Sequence, residues 1–344
     1  MVWLSYAPRR VKCPDHGVHV ELVPWARAGS RFTRRCEELI AYLAQQMSKT
    51  AVCKLVGIDW RTVGSVVERI IADRLDPTRL DDLSVIGVDE LSFRRHHNYV
   101  TVVVDHLRKR IVWVGEGKSS ETLAKFFDAL GPERVKAITH VTMDLSAAYR
   151  SIVSERAPQA ELVFDRFHIQ SLASDALDEV RREEVRGLAG SPEGKSLKHL
   201  RWALLKNPWN LTARQEDKLS DLQRLNRRIY RAYLLKESLA SILDRRQPNV
   251  VQGALESWRK WATRSRLKPF VKLAGTIKRH AHGVIAYVRT GLSNGPTEGL
   301  NNKTRMITRR AYGFHRAQAL ISMIFLCCGG ITLSPPLPGA TSTP

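Results

Sequence analysis

The chain has 344 residues, 43% of them hydrophobic, and 55 lysines and arginines against 34 acidic residues, for a formal net charge of +21. That is enough to bury two or three compact units, and the charge excess favours a polyanionic partner, because each neutralised phosphate releases condensed counterions. Three classes are excluded. The most apolar stretch, Ala319 to Cys328, is too short for a membrane span and runs into Gly329-Gly330. Five cysteines, odd and sparse, argue against a disulfide scaffold and for a reduced, cytoplasmic protein. The start, Met-Val-Trp-Leu-Ser-Tyr, lacks the charged-then-apolar order of a secretory signal.

Residues 1–33 form a first segment, irregular over 1–30, with Pro8, Pro14, Pro24, Gly17 and Gly29. Within them, Cys13-Pro14-Asp15-His16 is a Cys-x-x-His pair, with His19 or Cys36 as candidate further ligands. A structural zinc needs four ligands, usually as two knuckles. One visible knuckle makes this a degenerate, zinc-ribbon-like remnant as readily as a working site.

Residues 34–80 change character. Cys36, Leu39, Ile40 and Leu43 recur at helical spacing, and Ser48 caps a second helix over Lys49 to Val56. Gly57-Ile58-Asp59 turns the chain, and Val63, Val66, Val67 and Ile70 line a third helix beginning at Trp60. This is the helix-turn-helix pattern, with Arg61 and Thr62 at the start of the recognition helix as DNA contacts. An ordinary three-helix packing unit is the alternative. Asp76-Pro77 closes it, and a polar linker follows.

From 84 to 169 strands alternate with helices. Strands are expected at 85–88, 99–105, 110–115, 137–143 and 162–164, with helices from Ser119 or Ser120 to about Leu130 and from Ser146 to Arg156. Three strands in meander order, then helix, strand, helix, strand, is the order of a ribonuclease H-like α/β core with a mixed five-stranded sheet. In it the first and fourth strands lie side by side, so Asp89 and Asp144 become neighbours at the sheet edge where open α/β sheets place their sites.

Residues 170–288 read as an all-helical insertion, punctuated at Asn207-Pro208 and Gln247-Pro248. Core packing is the expected use of Trp202, Trp209, Trp258 and Trp261, ahead of base stacking. Residues 289–330 return to the core, with a helix opening at Pro296 that carries Glu298, and an apolar closing helix from Ala317 to Leu326. The tail, 331–344, is expected to be disordered.

Clustered carboxylates repel one another unless a cation neutralises them. Oxygen-only ligands favour Mg²⁺ or Mn²⁺, and two such ions are the known arrangement for in-line displacement at phosphorus. Asp89, Asp144 and Glu298 are therefore the candidate catalytic and metal-binding residues. Glu90, Asp105 and Asp165 are rivals, and Asp165 is the strongest because it too ends an apolar strand. His168, Asn294 and Asn301 are candidate site-lining residues. Arg94, Lys303, Arg305, Arg309 and Arg310 are candidate phosphate contacts.

Four motifs in order, Val-Ile-Gly-Val-Asp89-Glu90-Leu-Ser-Phe-Arg94, Thr142-Met-Asp144-Leu-Ser-Ala-Ala-Tyr149, Phe164-Asp-Arg-Phe-His168 and Ser293-Asn-Gly-Pro-Thr-Glu298-Gly-Leu-Asn301, resemble the insertion-sequence transposases of the ISL-three family. The resemblance covers nearly the whole chain. It implies a DDE triad at Asp89, Asp144 and Glu298, two Mg²⁺ or Mn²⁺ ions, and a helical insertion before the Glu. It further implies binding to element terminal repeats and target DNA, strand cleavage and transfer, and a homo-oligomer in the DNA complex. The family's zinc segment has two ligand pairs, of which only Cys13 and His16 match here. A transposase-derived DNA-binding protein without catalysis is the alternative.

Overall fold

The structure is a computed structural model that describes residues 5–27, 29–94 and 98–334, with Arg94 described by its backbone alone. The tail from Pro335 onward, expected to be disordered, lies outside these residues. The expectation of irregular chain over 1–30 is corrected. Val11, Val18 and Val20 belong to a short antiparallel hairpin, β1 (Arg10–Cys13) and β2 (Gly17–Val20), whose turn is the Cys-x-x-His segment.

Three helices follow, α1 (Arg34–Gln46), α2 (Lys49–Val56) and α3 (Trp60–Arg74). Each starts on a side chain that accepts an otherwise orphaned N–H: Thr33 from Cys36, Ser48 from Ala51, and Asp59 from Arg61 and Thr62. Gly57, at φ +74°, ends α2 in the left-handed conformation that a side chain would disfavour.

The central sheet is built from β3 (Val85–Arg94), β4 (Asn98–Asp105), β5 (Arg110–Glu116), β6 (His140–Met143) and β7 (Glu161–Phe164). Between these strands lie α4 (Ser120–Leu130), α5 (Pro132–Val135) and α6 (Ala147–Arg156). The spatial order is β5-β4-β3-β6-β7, antiparallel within the meander and parallel from β3 to β6 and β6 to β7. Two boundaries differ from expectation. The first strand continues past Val88 to Arg94, so Asp89 lies within it, and the fourth begins at His140 because Pro132 opens α5 upstream.

Alternation along β3 assigns its faces. Ile86 and Val88 join Phe126, Val141 and Ile152 in the core under α4 and α6. Leu91 and Phe93 point the other way, into a core shared with the closing helices α15 (Gly295–Arg310) and α16 (Ala317–Cys328) and with α1–α3. The helix-turn-helix is thus packed on the sheet domain rather than tethered to it. Gln45 Nε2 donates to the carbonyls of Leu326 (2.6 Å) and Ile331 (3.1 Å) across this junction.

A third core belongs to the helical segment. Its helices are α7 (Arg166–Gly187), α8 (Pro192–His199), α9 (Arg201–Leu205), α10 (Ala213–Ser220), α11 (Leu222–Leu225), α12 (Arg227–Leu243), α13 (Pro248–Arg264) and α14 (Lys268–Thr290). Leu177, Leu239, Trp258 and Phe270 meet inside it, and the indole of Trp258 donates to Leu235 O at 2.8 Å. Core packing fails as an account of the three other tryptophans expected there. Trp202 is 64% exposed, Trp209 75% and Trp261 38%. No helix among the described residues is long and apolar enough to cross a membrane.

Candidate active site at the acidic sheet edge

Parallel pairing sets the site. β3 and β6 run in the register Val85↔His140, Ile86↔Val141, Gly87↔Thr142. Two residues further along, that register brings Asp89 level with Asp144. β6 and β7 pair Met143 with Phe164, so the next step brings Asp165 level with Asp144 as well. The three residues therefore fall in a row at one end of the sheet, with Glu90 next to Asp89.

Asp89 points to the face covered by α15. Its Oδ2 accepts from Asn301 Nδ2 at 2.6 Å, and its Oδ1 accepts from the Glu90 N–H at 2.7 Å. Removal from solvent pushes its carboxyl up to about 6, and the charge of Asp144 adds to the rise, while Arg305 pulls the other way. Asp144 accepts from the Ser146 N–H at 2.9 Å, which shapes the turn into α6. Glu90 is also raised, by burial first and then by Asp144, with Lys118 3.9 Å away opposing it.

Beneath the carboxylates a buried polar network fixes where α15 begins. His106 Nε2 lies 2.9 Å from Thr142 Oγ1 and 3.3 Å from Thr297 Oγ1, and Thr142 Oγ1 donates to Asn294 Oδ1 at 3.1 Å. Burial lowers the pKa of His106, which favours the neutral imidazole at the centre of this network. Gly87 makes the approach possible. A Cβ there would stand 2.1 Å from Thr297 Oγ1 and 2.6 Å from His106 Nε2. Neither Gly87, His106 nor Thr297 carries a sequence signal of this role.

Glu298 sits in the first turn of α15 and is exposed. Its carboxylate neighbour is Asp165, whose pKa is raised by burial and then by Glu298. Among the described residues no three of His, Cys, Asp and Glu stand close enough together to hold a metal. The structure therefore pairs Asp89 with Asp144 and leaves Glu298 nearby on the side of Asp165. The donor chemistry suits a hard cation. Every group at the edge offers oxygen, and Asn301 Oδ1 is buried beside Asp89 without any hydrogen-bond partner.

The rivals separate. Asp105 serves a turn, accepting from the N–H groups of Leu107 (2.9 Å) and Arg108 (3.1 Å) and pairing with the Arg108 side chain. It pairs across from Ile86, roughly 10 Å along the strand from Asp89. Asp165 caps α7 through the Phe167 N–H, at 3.3 Å, and stays at the edge. His168 lies one turn into α7, where its charge favours ionised Asp165.

The candidate phosphate contacts also divide. Lys303 Nζ donates to Cys327 O at 2.6 Å, at the end of α16. Arg310 donates to Ala44 O and Gln45 O, both at 2.9 Å, at the end of α1. Both satisfy orphaned helix carbonyls, Arg310 half-buried and Lys303 while still exposed. Arg305 and Arg309 are exposed, and Arg305 is the one that reaches the field of Asp89. The side chain of Arg94 is outside the described residues.

In the helix-turn-helix, Thr62 is committed to the cap, its hydroxyl donating to Asp59, while Arg61 is exposed. Arg61 borders a cleft of about 480 Å³ between α3 and the start of α16, shared with Lys49, Ser65, His315 and Arg316. Tyr312, 98% exposed, stands in the loop that leads there. These loop residues were not legible from spacing. At the hairpin, Cys13 Sγ lies 3.4 Å from His16 Nδ1, and no third ligand joins them among the described residues.

The family whose model spans most of the chain defines the class: an enzyme that cuts and joins DNA strands, a DDE transposase. Comparison with known proteins gives the family. Residues 86–324 match the ISL3 DDE transposase model, described as "Transposase". Residues 21–71 match the "Helix-turn-helix domain of transposase family ISL3". The chain is 42% identical over 368 aligned positions to the "Transposase for insertion sequence element IS1557" of Mycobacterium tuberculosis, spanning all of this chain and 82% of that protein. It is 29% identical to the "Transposase for insertion sequence element IS1001" of Bordetella parapertussis, across 91% of this chain and 78% of that one. The chain belongs to the ISL3 family of transposases.

Proposed function

We propose that Asp89 and Asp144, completed by Glu298, hold two Mg²⁺ or Mn²⁺ ions and that strand cleavage and transfer of double-stranded DNA occur at this edge. The observation that carries the proposal is the β3–β6 register, supported by the raised carboxyl of Asp89 and the unpartnered Oδ1 of Asn301. Divalent cations bound there would activate the attacking hydroxyl and neutralise charge at the leaving 3′-oxygen. The residues do the rest. Asn301 and the Glu90 N–H orient Asp89, the His106 network sets the start of α15 and so the approach of Glu298, and Arg305 and Arg309 hold the phosphate backbone.

The strand order β5-β4-β3-β6-β7 supports a ribonuclease H-like core over 84–169 and 289–330, interrupted by the helical insertion of 170–288. The helix-turn-helix of 34–80, through Arg61, recognises terminal repeats. Residues 1–33 are a two-ligand remnant of a zinc segment at Cys13 and His16. The DNA complex is a homo-oligomer that holds element ends and target DNA together, at the nucleoid.

The test is Mg²⁺-dependent nicking of labelled element ends. Asp89→Ala, Asp144→Ala and Glu298→Ala should each reduce cleavage at least a thousandfold and leave binding within about twofold, because positioned charge rather than affinity is lost. Asp165→Ala should retain measurable cleavage. Wild-type protein that binds the ends and never nicks them would favour a DNA-binding protein without catalysis.

A further inference from the structure

The helical insertion holds an open cavity of about 730 Å³ bordered by α8, α9, α10 and α11. Lys195, Arg214 and Lys218 line it with His199, against one acid, Asp221. Nearby in the insertion, Asp178 takes Arg181, Arg182 and Arg201, and Glu183 and Glu184 take Arg228. Among the described residues, none of the three cavity cations makes an ion pair. Trp202 forms part of the same wall, 64% exposed, with the Arg201 guanidinium 5.0 Å from its ring centroid. An exposed indole has a large desolvation incentive to be covered by a flat partner, and three unmatched cations beside it call for phosphate.

We infer that this cavity is a second DNA site, taking an unpaired nucleotide with its base on Trp202 and its phosphates on Lys195, Arg214 and Lys218. The insertion's own geometry sets its distance from the cut. Arg201 Nε lies 3.6 Å from Asp178 Oδ1 on α7, and α7 starts at the acidic edge, where Asp165 caps it. From Asp165 to Asp178 the helix rises roughly 20 Å, equivalent to about six nucleotides of one strand. A duplex would hide its bases from the indole. The ligand is therefore a strand frayed or melted within reach of the cleavage point, and the site would hold it open. The inference rests on the reading of the chain as an enzyme of DNA strands.

The experiment uses the full chain without divalent metal, a fluorescein-labelled 20-nucleotide oligothymidine and a 20-base-pair duplex, with affinity read by polarisation. Stacking on an aromatic side chain is a sizeable part of single-strand affinity. Trp202→Ala should weaken oligothymidine binding about tenfold or more, Trp202→Phe should hold it within about threefold, and neither should change duplex binding more than about twofold. Replacing Lys195, Arg214 and Lys218 together by Ala should flatten the salt dependence of single-strand binding by about two in slope, at roughly 0.7 per lost phosphate contact. Single-strand affinity unchanged in Trp202→Ala, or lost equally for both DNA forms, overturns the inference. Its fate is separable from that of the active site. Protein that nicks element ends with Mg²⁺ while Trp202→Ala binds normally refutes the cavity alone, and protein that binds through Trp202 but never nicks refutes the catalytic reading alone.

Discussion

Glu37 and Asp89 are both carboxylates drawn out of solvent, one in the helix-turn-helix and one in the sheet, and their surroundings are opposite. Glu37 has no exposed surface. Its Oε2 accepts from Arg27 at 2.9 Å, and its Oε1 accepts from Arg69 Nε and Ser30 Oγ, both at 2.7 Å. Arg27 continues to Asp73 at 2.6 Å, so α1, α3 and the segment before them are tied by charge. Asp89 is half-buried beside a second carboxylate, and its hydrogen-bond donors are an amide side chain and a backbone N–H. A matched charge holds a structure together. A charge left short of cations costs stability and keeps a place for one to bind.

The largest test of this contrast is at the matched end. Glu37→Ala should destabilise the protein by about 3–5 kcal/mol, since it strands part of the Arg27 and Arg69 charge in a buried setting. Urea unfolding would measure this. A loss below about 1 kcal/mol would mean the cluster is solvated in solution.

Next is the seat of α15. Gly87→Ala puts a methyl into the space of Thr297 and His106 and should cost about 2–3 kcal/mol by overpacking. Cleavage should fall along with stability, because Glu298 and Asn301 ride on the displaced helix. Full activity with unchanged stability would show that α15 does not sit as described.

A smaller effect, of opposite sign, is expected at the unmatched end. The folded pKa of Asp89 is about 6 against an ordinary 3.8, so the native state binds the extra proton between those values. Its stability contribution is fully present below pH 4 and is lost as pH rises through 6. Asp89→Asn, which removes the charge, should raise metal-free stability at pH 7.5 by about 1–2 kcal/mol, after allowance for partial exposure. At pH 4 the variant and wild type should differ little. Equal stability at both pH values would deny that the charge is strained.

Much of this was legible because it is local. Ser48 and Asp59 announce their helices, Gly57 its turn, and Val63, Val66, Val67 and Ile70 the buried side of α3. Asp89 and Asp144 stood out by following apolar runs, although Asp89 proves to lie inside a longer strand. Its polarity is tolerated there because its face meets Asn301 rather than the apolar core. What stayed hidden depends on distant partners. Lys303 and Arg310 look like any basic helix surface until the ends of α16 and α1 arrive with unpaired carbonyls. His106, Thr142 and Thr297 are ordinary residues until three segments converge on them. Trp202 has the composition of a core residue, and only its helix's position leaves it at the surface.

The central claim is that the Asp89–Asp144 edge is a cation site, and Mn²⁺ titration followed by electron paramagnetic resonance tests it without any DNA or catalysis. Wild-type protein should bind Mn²⁺, and Asp89→Asn and Asp144→Asn should each weaken that binding at least tenfold, with Asn301→Ala causing a smaller loss. Mn²⁺ bound equally well by wild type and by both aspartate variants would contradict the account.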